Sequence, residues 1–337
     1  MHQKKPTIAD IANQAGVSKT TVSRVINDKP DVSPETREKV LKIVEETRFV
    51  PNLVAKGLSS GGVNLLSMLL PSLAWPWVLE VIRGIAERVE QSSYELVLFT
   101  TSSKERSEEL FNNTFASGFT DGLIAIVPPG ALSQLSEMYT HGFPVVLVDD
   151  RGHHPEFPSV VVANYSGAYK ATSHLLEQNH TSIAFISGPM EYGCNQERQR
   201  GYLAALSDAA VSIRDELIRE GDFTEAGGYA EAQALLELSG PPTAIFAAND
   251  LMALGVMEAV ENRGLSIPMD IAVVGFDDIP QASIIRPSLT TVQQPMYKMG
   301  QTAVEMILSQ IEGVPLPEIN VKFETELIVR KSSNASL

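Results

Sequence analysis

The sequence predicts an α/β protein: an N-terminal helix-turn-helix head followed by two lobes, each a doubly wound parallel sheet. Three observations carry this. About sixty N-terminal residues hold short helical patterns punctuated by turns. From Val63 onward, strand-like apolar runs alternate with amphipathic helical patterns, as in βαβ units. The chain's 337 residues exceed what one compact core usually holds.

The head is read from Thr7 to Asn27, TIADIANQAGVSKTTVSRVIN. Ile8, Ile11 and Ala12 recur at the spacing of a buried helical stripe, and Thr7 stands where a hydroxyl caps the first free N–H groups. Gly16 gives the permissive backbone of a sharp helix-to-helix turn. Ser18 opens a second helix that turns Val22, Val25 and Ile26 inward and Lys19, Thr20, Ser23, Arg24 and Asn27 outward. Such an outward set suits DNA, because arginine grips guanine bidentately, lysine reaches guanine or phosphate, and hydroxyls and amides bond base edges or backbone. A plain αα-hairpin with a solvated face has the same spacing. Ser33-Pro34 opens a third helix with Glu35 near its positive end; Val40, Leu41 and Val44 face the core, and the helix is predicted to end near Thr47. Pro51 to Ser60, PNLVAKGLSS, is either a linker or a helix too short to stand alone, weakened by Gly57 at about 1 kcal/mol.

The formal net charge is −15, the wrong sign for a nucleic-acid binder, but its distribution is uneven. Residues 1–61 carry ten basic against seven acidic side chains, +3, leaving −18 for the rest. A basic head on an acidic body puts phosphate contacts at one end, and so small an excess per head calls for two heads. No basic-apolar signal pattern opens the chain and no apolar run is long enough to span a bilayer, so a cytoplasmic protein with no membrane partner is expected. Cys194 is a single cysteine, read as a buried thiol. His153-His154 lacks a spaced third ligand, and no nucleophile elbow, phosphate loop or HExxH occurs, so neither enzyme, cofactor nor metal is expected.

Strands are predicted at Leu65–Leu70, Glu95–Phe99, Gly122–Val127, Val145–Val148 and Val160–Val162, then at Ile183–Ser187, Ala244–Ala247 and Ile271–Phe276. Helical patterns fall between them at Pro76–Glu90, Glu105–Phe115, Tyr165–Gln178, Gln196–Ala209, Ala226–Leu238 and Asn249–Asn262. Ligands of open α/β sheets bind beyond the carboxyl ends of the strands. The first strand is followed by SLAWPWV, in which Leu73, Trp75 and Trp77 offer apolar surface; the C–H face of a sugar or a base packs on such rings.

The chain resembles the lactose-repressor and galactose-repressor family of bacterial transcription regulators almost end to end. The matching blocks are TIADIANQAGVSKTTVSRVIND, FVPNLVAKGLSSG, LLSMLLPSLAWPWVLEVIRGI, ERQRGYLAAL, IFAANDLMALGVMEAV and VVGFDDIPQASIIRPSLTTVQQP. One departure is Arg48, where family members often carry glycine. The resemblance implies a DNA-binding head over 1–49, a hinge over 50–61 and an effector-binding, dimerising body over 62–337 with the fold of periplasmic sugar-binding proteins. Lobe 1 would hold about 62–163 and 292–322, and lobe 2 about 164–291 and 323–331.

Through the first block the resemblance sets Thr7, Ser18 and Thr21 beside the outward residues at DNA. Through the second it adds Asn52, Ala55, Lys56 and Leu58, the leucine as a minor-groove wedge. Arg198 stands in RxxGY, Asn249 in ANDxMALG and Asp277 in GFDD, and Phe223 in EGDF matches an aromatic on the opposite wall; Asp149 and Gln294 fall near further contact positions. Arginine, asparagine and a carboxylate together satisfy a small polyol. Taken singly, Asn249 or Asp277 reads equally as a helix cap or turn residue. The expected protein is a homodimeric repressor of carbohydrate uptake or use, binding a pseudo-palindromic operator under control of a sugar. A regulator responding to a nucleobase or other non-sugar metabolite and a sugar-binding transport protein are the alternatives, the latter having no use for residues 1–61.

Overall fold

Three helices make the head: α1 (Ile8–Ala15), α2 (Lys19–Ile26) and α3 (Pro34–Thr47). The structure is a computed structural model that describes residues 6–26, 28–49, 63–71, 73, 75–101, 103–115, 118–126, 131–149 and 156–334. A capping box opens α1: Asp10 N donates to Thr7 Oγ1, and Thr7 N donates to the Asp10 carboxylate at 2.8 Å. Gly16, at φ 67°, closes it. Ser18 Oγ accepts from Thr21 N at 3.0 Å at the start of α2, and Ser33 Oγ from Thr36 N at 3.3 Å at the start of α3.

The end of α3 takes a left-handed residue without a glycine. Arg48 stands at φ 49°, ψ 40°, which costs an L-residue about 1 kcal/mol more than glycine. The cost is offset because this bend drops Phe49 into the head's core, with Ile11, Ala12, Ala15, Val22, Val25 and Val40. Leu41, expected inward, is 47% exposed; the inner stripe of α3 runs through Val40, Ile43 and Val44, and Leu41 lies off it.

The body follows as a separate compact unit, Leu65–Leu337. Its chain runs β1 (Leu65–Leu70), α4 (Pro76–Glu90), β2 (Glu95–Thr100), α5 (Lys104–Asn113), β3 (Gly122–Ile126), α6 (Leu132–Thr140), β4 (Val145–Val148), β5 (Ser159–Val162) and α7 (Asn164–Glu177). It continues as β6 (Ile183–Ser187), α8 (Gly193–Asp208), β7 (Ile218–Glu220), α9 (Glu225–Leu236), β8 (Ala244–Ala247), α10 (Asp250–Asn262), β9 (Ala272–Asp277) and α11 (Pro280–Ile284). The last elements are β10 (Thr290–Gln293), α12 (Met296–Ile311), β11 (Asn320–Phe323) and β12 (Glu326–Ile328).

These strands form two six-stranded sheets, β11-β5-β4-β3-β1-β2 and β12-β10-β9-β8-β6-β7, parallel except for the β10–β12 pair. Every residue of β1, β3, β4, β6, β8 and β9 is buried, because helices cover both sheet faces. The backbone passes between the lobes three times: at Ala163, at Gln294–Pro295 and at 324–325. The second passage falls slightly later than the expected return at about 292. Thr290, Thr291 and Val292 are buried and pair with β9, and only Gln294-Pro295 breaks that pairing. The short strands β7, β10, β11 and β12 and the helices α6, α11 and α12 were not among the elements expected from the sequence.

Candidate nucleic-acid interface and ligand cleft

On α2, Lys19, Thr20 and Arg24 are exposed and Ser23 is half-buried. Ser18 and Thr21 are occupied with each other, Oγ to Oγ1 at 2.9 Å, and Thr7 with Asp10, so these three shape the helix starts before they meet anything outside. Arg24 Nη1 lies 2.9 Å from Asp31, both about half exposed. A solvated pair of this kind contributes little to stability, so the guanidinium is exchanged readily onto a base or phosphate. Arg37, on α3, donates to Asp28 Oδ1 and Lys29 O and fixes the turn that follows α2. Asn27, Asn52, Ala55, Lys56 and Leu58 lie outside the described residues.

In the body, a cleft is lined by Trp75, Trp77 and Asp149 from lobe 1 and by Arg198, Phe223, Asn249, Asp277 and Gln294 from lobe 2. All of these except Arg198 sit at or just beyond the carboxyl end of a strand, or on the chain leaving it, where an open sheet has no side chains of its own to fill the space. Leu73 is 49% exposed and is not among the lining residues; it precedes the first turn of α4, which carries the tryptophans inward. Asn164, Tyr192, Leu251, Ile279 and Met299 also line the cleft, with Pro76 and Val162, none of them expected there from the sequence, and so does Cys194, expected only as a buried thiol. Asn164, Tyr192 and Ile279 follow β5, β6 and β9, so the strand-end rule would have found them.

Trp75 and Trp77 lie nearly parallel, 24° between planes with centroids 6.2 Å apart, and pack on the core of lobe 1. Opposite them, Arg198 is 5% exposed, its guanidinium 3.8 Å above the Phe276 ring. Arg198 Nε donates to Asn164 Oδ1 at 2.9 Å and Nη1 to Ala248 O at 2.5 Å. Asp277 Oδ1 accepts from Gln294 Nε2 at 2.6 Å. Burial pushes the Asp277 carboxyl well above the ordinary carboxylate range, against the pull of Arg198, and neighbouring Asp250 adds to the rise. Asp250 is itself fully buried, accepting from Thr291 Oγ1 and Ile279 N.

Asn249 caps a helix and also faces the cleft. Its Oδ1 caps α10 by accepting from Met252 N at 2.9 Å, and its Nδ2 donates to Phe223 O at 3.1 Å while the residue lines the cleft. The aromatic wall thus hangs on the asparagine. Phe223 meets Tyr192 edge-on at 5.6 Å and covers Gly188, where a Cβ would lie 2.3 Å from its ring. Three cleft residues hold left-handed backbone despite carrying side chains: Asp149 at φ 62°, Phe223 at 67° and Asp277 at 129°. Burial, with help from Asp149, pushes the Cys194 thiol up to about 12, so it is protonated and inert as a nucleophile. No cluster of three or more metal-binding side chains occurs among the described residues, and none of their helices is long and apolar enough to cross a membrane.

Comparison with known proteins places this geometry. Residues 7–52 match the model of bacterial regulatory proteins of the lacI family, and residues 172–333 that of a periplasmic binding protein-like domain. Catabolite control protein A of Priestia megaterium is 35% identical over 97% of this chain and 99% of its own. The HTH-type transcriptional repressor PurR of Erwinia tasmaniensis is 33% identical over 97% of this chain and 96% of its own. Among solved structures, the Lac repressor dimer bound to operator and the anti-inducer ONPF superposes with a TM-score of 0.84 at 30% identity, covering 98% of this chain and 99% of that one. Head, lobes and cleft all fall within these matches, and the chain belongs to the lacI family of bacterial regulatory proteins, which are DNA-binding transcription regulators and not enzymes.

Proposed function

We propose that the chain is a homodimeric repressor that reads a pseudo-palindromic operator through α2, with its hold on DNA set by a mono- or disaccharide bound between the lobes. The observation that carries this reading is the division of the cleft: an aromatic pair on lobe 1 faces Arg198, Asn249 and Asp277 on lobe 2. A ligand held by one lobe alone would favour open and closed arrangements equally and shift nothing. A polyol bridges the two walls, laying a C–H face on tryptophan and giving hydroxyl protons to Asp277 while accepting from Arg198. Closure and binding then become one event, and the genes controlled are those that take up or use the sugar.

A second reading has its own support. The near-parallel tryptophans equally suit a flat heterocycle, and a purine-named repressor is among the relatives. One experiment separates the two: the melting temperature of the purified protein across a panel of sugars and nucleobases. A sugar hit that also quenches tryptophan emission is the expected result, and a nucleobase as sole hit replaces the sugar. Operator binding is then titrated with the hit for wild type, Asp277→Ala and Arg198→Ala. Each variant loses about 2 kcal/mol or more of ligand binding through an unpaired buried group, and keeps DNA binding. A full response in either variant moves the effector site elsewhere.

A further inference from the structure

Two of the three passages between the lobes present an amide side chain to an ionisable group of the cleft. Asn164 begins α7 two residues after β5, and its Oδ1 accepts from Arg198 Nε at 2.9 Å. Gln294 stands between β10 and α12, and its Nε2 donates to Asp277 Oδ1 at 2.6 Å. The third passage is tied to the first. Ala163 N donates to Phe323 O at 2.8 Å, Lys170 Nζ to Thr325 O at 3.0 Å, and Gly167 leaves so little room that a Cβ would lie 2.7 Å from Thr325 Oγ1. Asn164 therefore sits where two passages move together, and Gln294 governs the remaining one.

The two ligand-facing polar groups of lobe 2 are thus each bonded to a point about which the lobes turn. The Arg198 bond joins a charged group to a neutral amide away from bulk water, where such bonds are stronger than neutral pairs, and the Asp277 bond is held in the same buried setting. A ligand oxygen that engages Arg198 draws on the same guanidinium that holds Asn164. A ligand hydroxyl that donates to Asp277 engages the same carboxyl that Gln294 holds through Oδ1.

We propose that Asn164 and Gln294 are positioning residues that carry the state of the cleft to the angle between the lobes. The proposal rests on the cleft being the effector site, and its test uses no effector. Trp75 and Trp77, the chain's only tryptophans, lie on lobe 1 facing lobe 2, so their exposure reports the opening of the cleft. In the ligand-free full-length protein, Asn164→Ala and Gln294→Ala each shift tryptophan emission to the red and raise the acrylamide quenching constant by about two-fold, as the lobes sample wider angles. Asn164→Asp stays at the wild-type value, because its carboxylate still accepts from Arg198 Nε.

Wild-type quenching in both alanine variants overturns the proposal, as does an equal rise in Asn164→Asp, which would assign the effect to packing. Hydrogen exchange supplies a reading that leaves both amides in place. Arg198→Lys keeps the charge but loses the planar fork, and it speeds exchange across 163–167; unchanged exchange there also overturns the proposal. A wrong ligand class in the sugar and nucleobase panel leaves these results standing. Wild-type quenching together with a sugar hit removes the coupling residues alone.

Discussion

On the outer face of α2, Arg24 is already paired with Asp31, and the half-exposed pair holds nothing in the head's core. Arg24→Ala therefore leaves the melting temperature near wild type and costs about 1 to 3 kcal/mol of operator binding, with preference relaxed at one base pair per half-site. Selection from randomised duplexes measures it, and an unchanged preference removes Arg24 from base readout. Arg48→Gly acts the other way: it relieves the left-handed cap and stabilises the head by about 1 kcal/mol, read as a later thermal transition of its helices. Individual residues were legible in the sequence where a motif or a strand end marked them, as with Arg198, Asp277 and Trp75. Met299 carries no such mark. Its place in the cleft comes from helix α12, which arrives from a distant part of the chain.

Elements were legible where burial follows a period, and hidden where contact depends on small residues. The helix α12 packs on α4 through Gly300 and Gly84; a Cβ on Gly300 would lie 2.2 Å from Val81 O, and one on Gly84 2.1 Å from Tyr297 O. Such a seam gains its stability from close backbone approach, so the pairing of the two helices leaves little trace in a hydrophobicity pattern, although α12 itself buries Met296, Met299, Val304 and Ile307 at helical spacing. The C-terminal segment was hidden for another reason, since polar bonds hold it. His174 Nε2 on α7 bonds Ser333 Oγ at 2.8 Å, Ser333 donates to Thr290 Oγ1 at 2.7 Å, and Ser332 donates to Val273 O at 2.6 Å. Burial lowers the His174 pKa, and Glu177 opposes the shift. A histidine held neutral in the folded state contributes stability above its unfolded value, near 6.5, that is lost as pH falls through it toward the lower folded value. This histidine acts to lower the melting temperature as pH falls from about 7.5 to 5.5, while the buried carboxyls of Asp250 and Asp277, raised in the folded state, act to increase it, so the reading is the difference between proteins: His174→Gln gains melting temperature relative to wild type over that window. His180, also lowered by burial, is common to both proteins. Parallel pH profiles remove His174 from the pH response.

At the scale of the whole molecule the charge is split, +3 on residues 1–61 and −18 on the remainder, which favours approach to DNA head first. Affinity built on phosphate contacts from two such heads falls about a thousand-fold or more between roughly 50 and 200 mM salt, and Lys19→Ala lowers the slope by about one per head if that lysine meets a phosphate. Gel-shift titrations at several salt concentrations give both numbers, and an unaltered slope removes Lys19 from the phosphate contacts. The body has its own imbalance, written in its backbone. At Asp149, Phe223 and Asp277 the chain holds a conformation that suits glycine and yet keeps a side chain in the cleft. Glycine would relax the backbone but would give up what the side chains hold, the Phe223 ring on Tyr192 and over Gly188 and the Asp277 carboxyl that accepts from Gln294. Selection for heat resistance alone would therefore leave Phe223 and Asp277 where they are, because a tense backbone is the lesser loss beside an emptied wall.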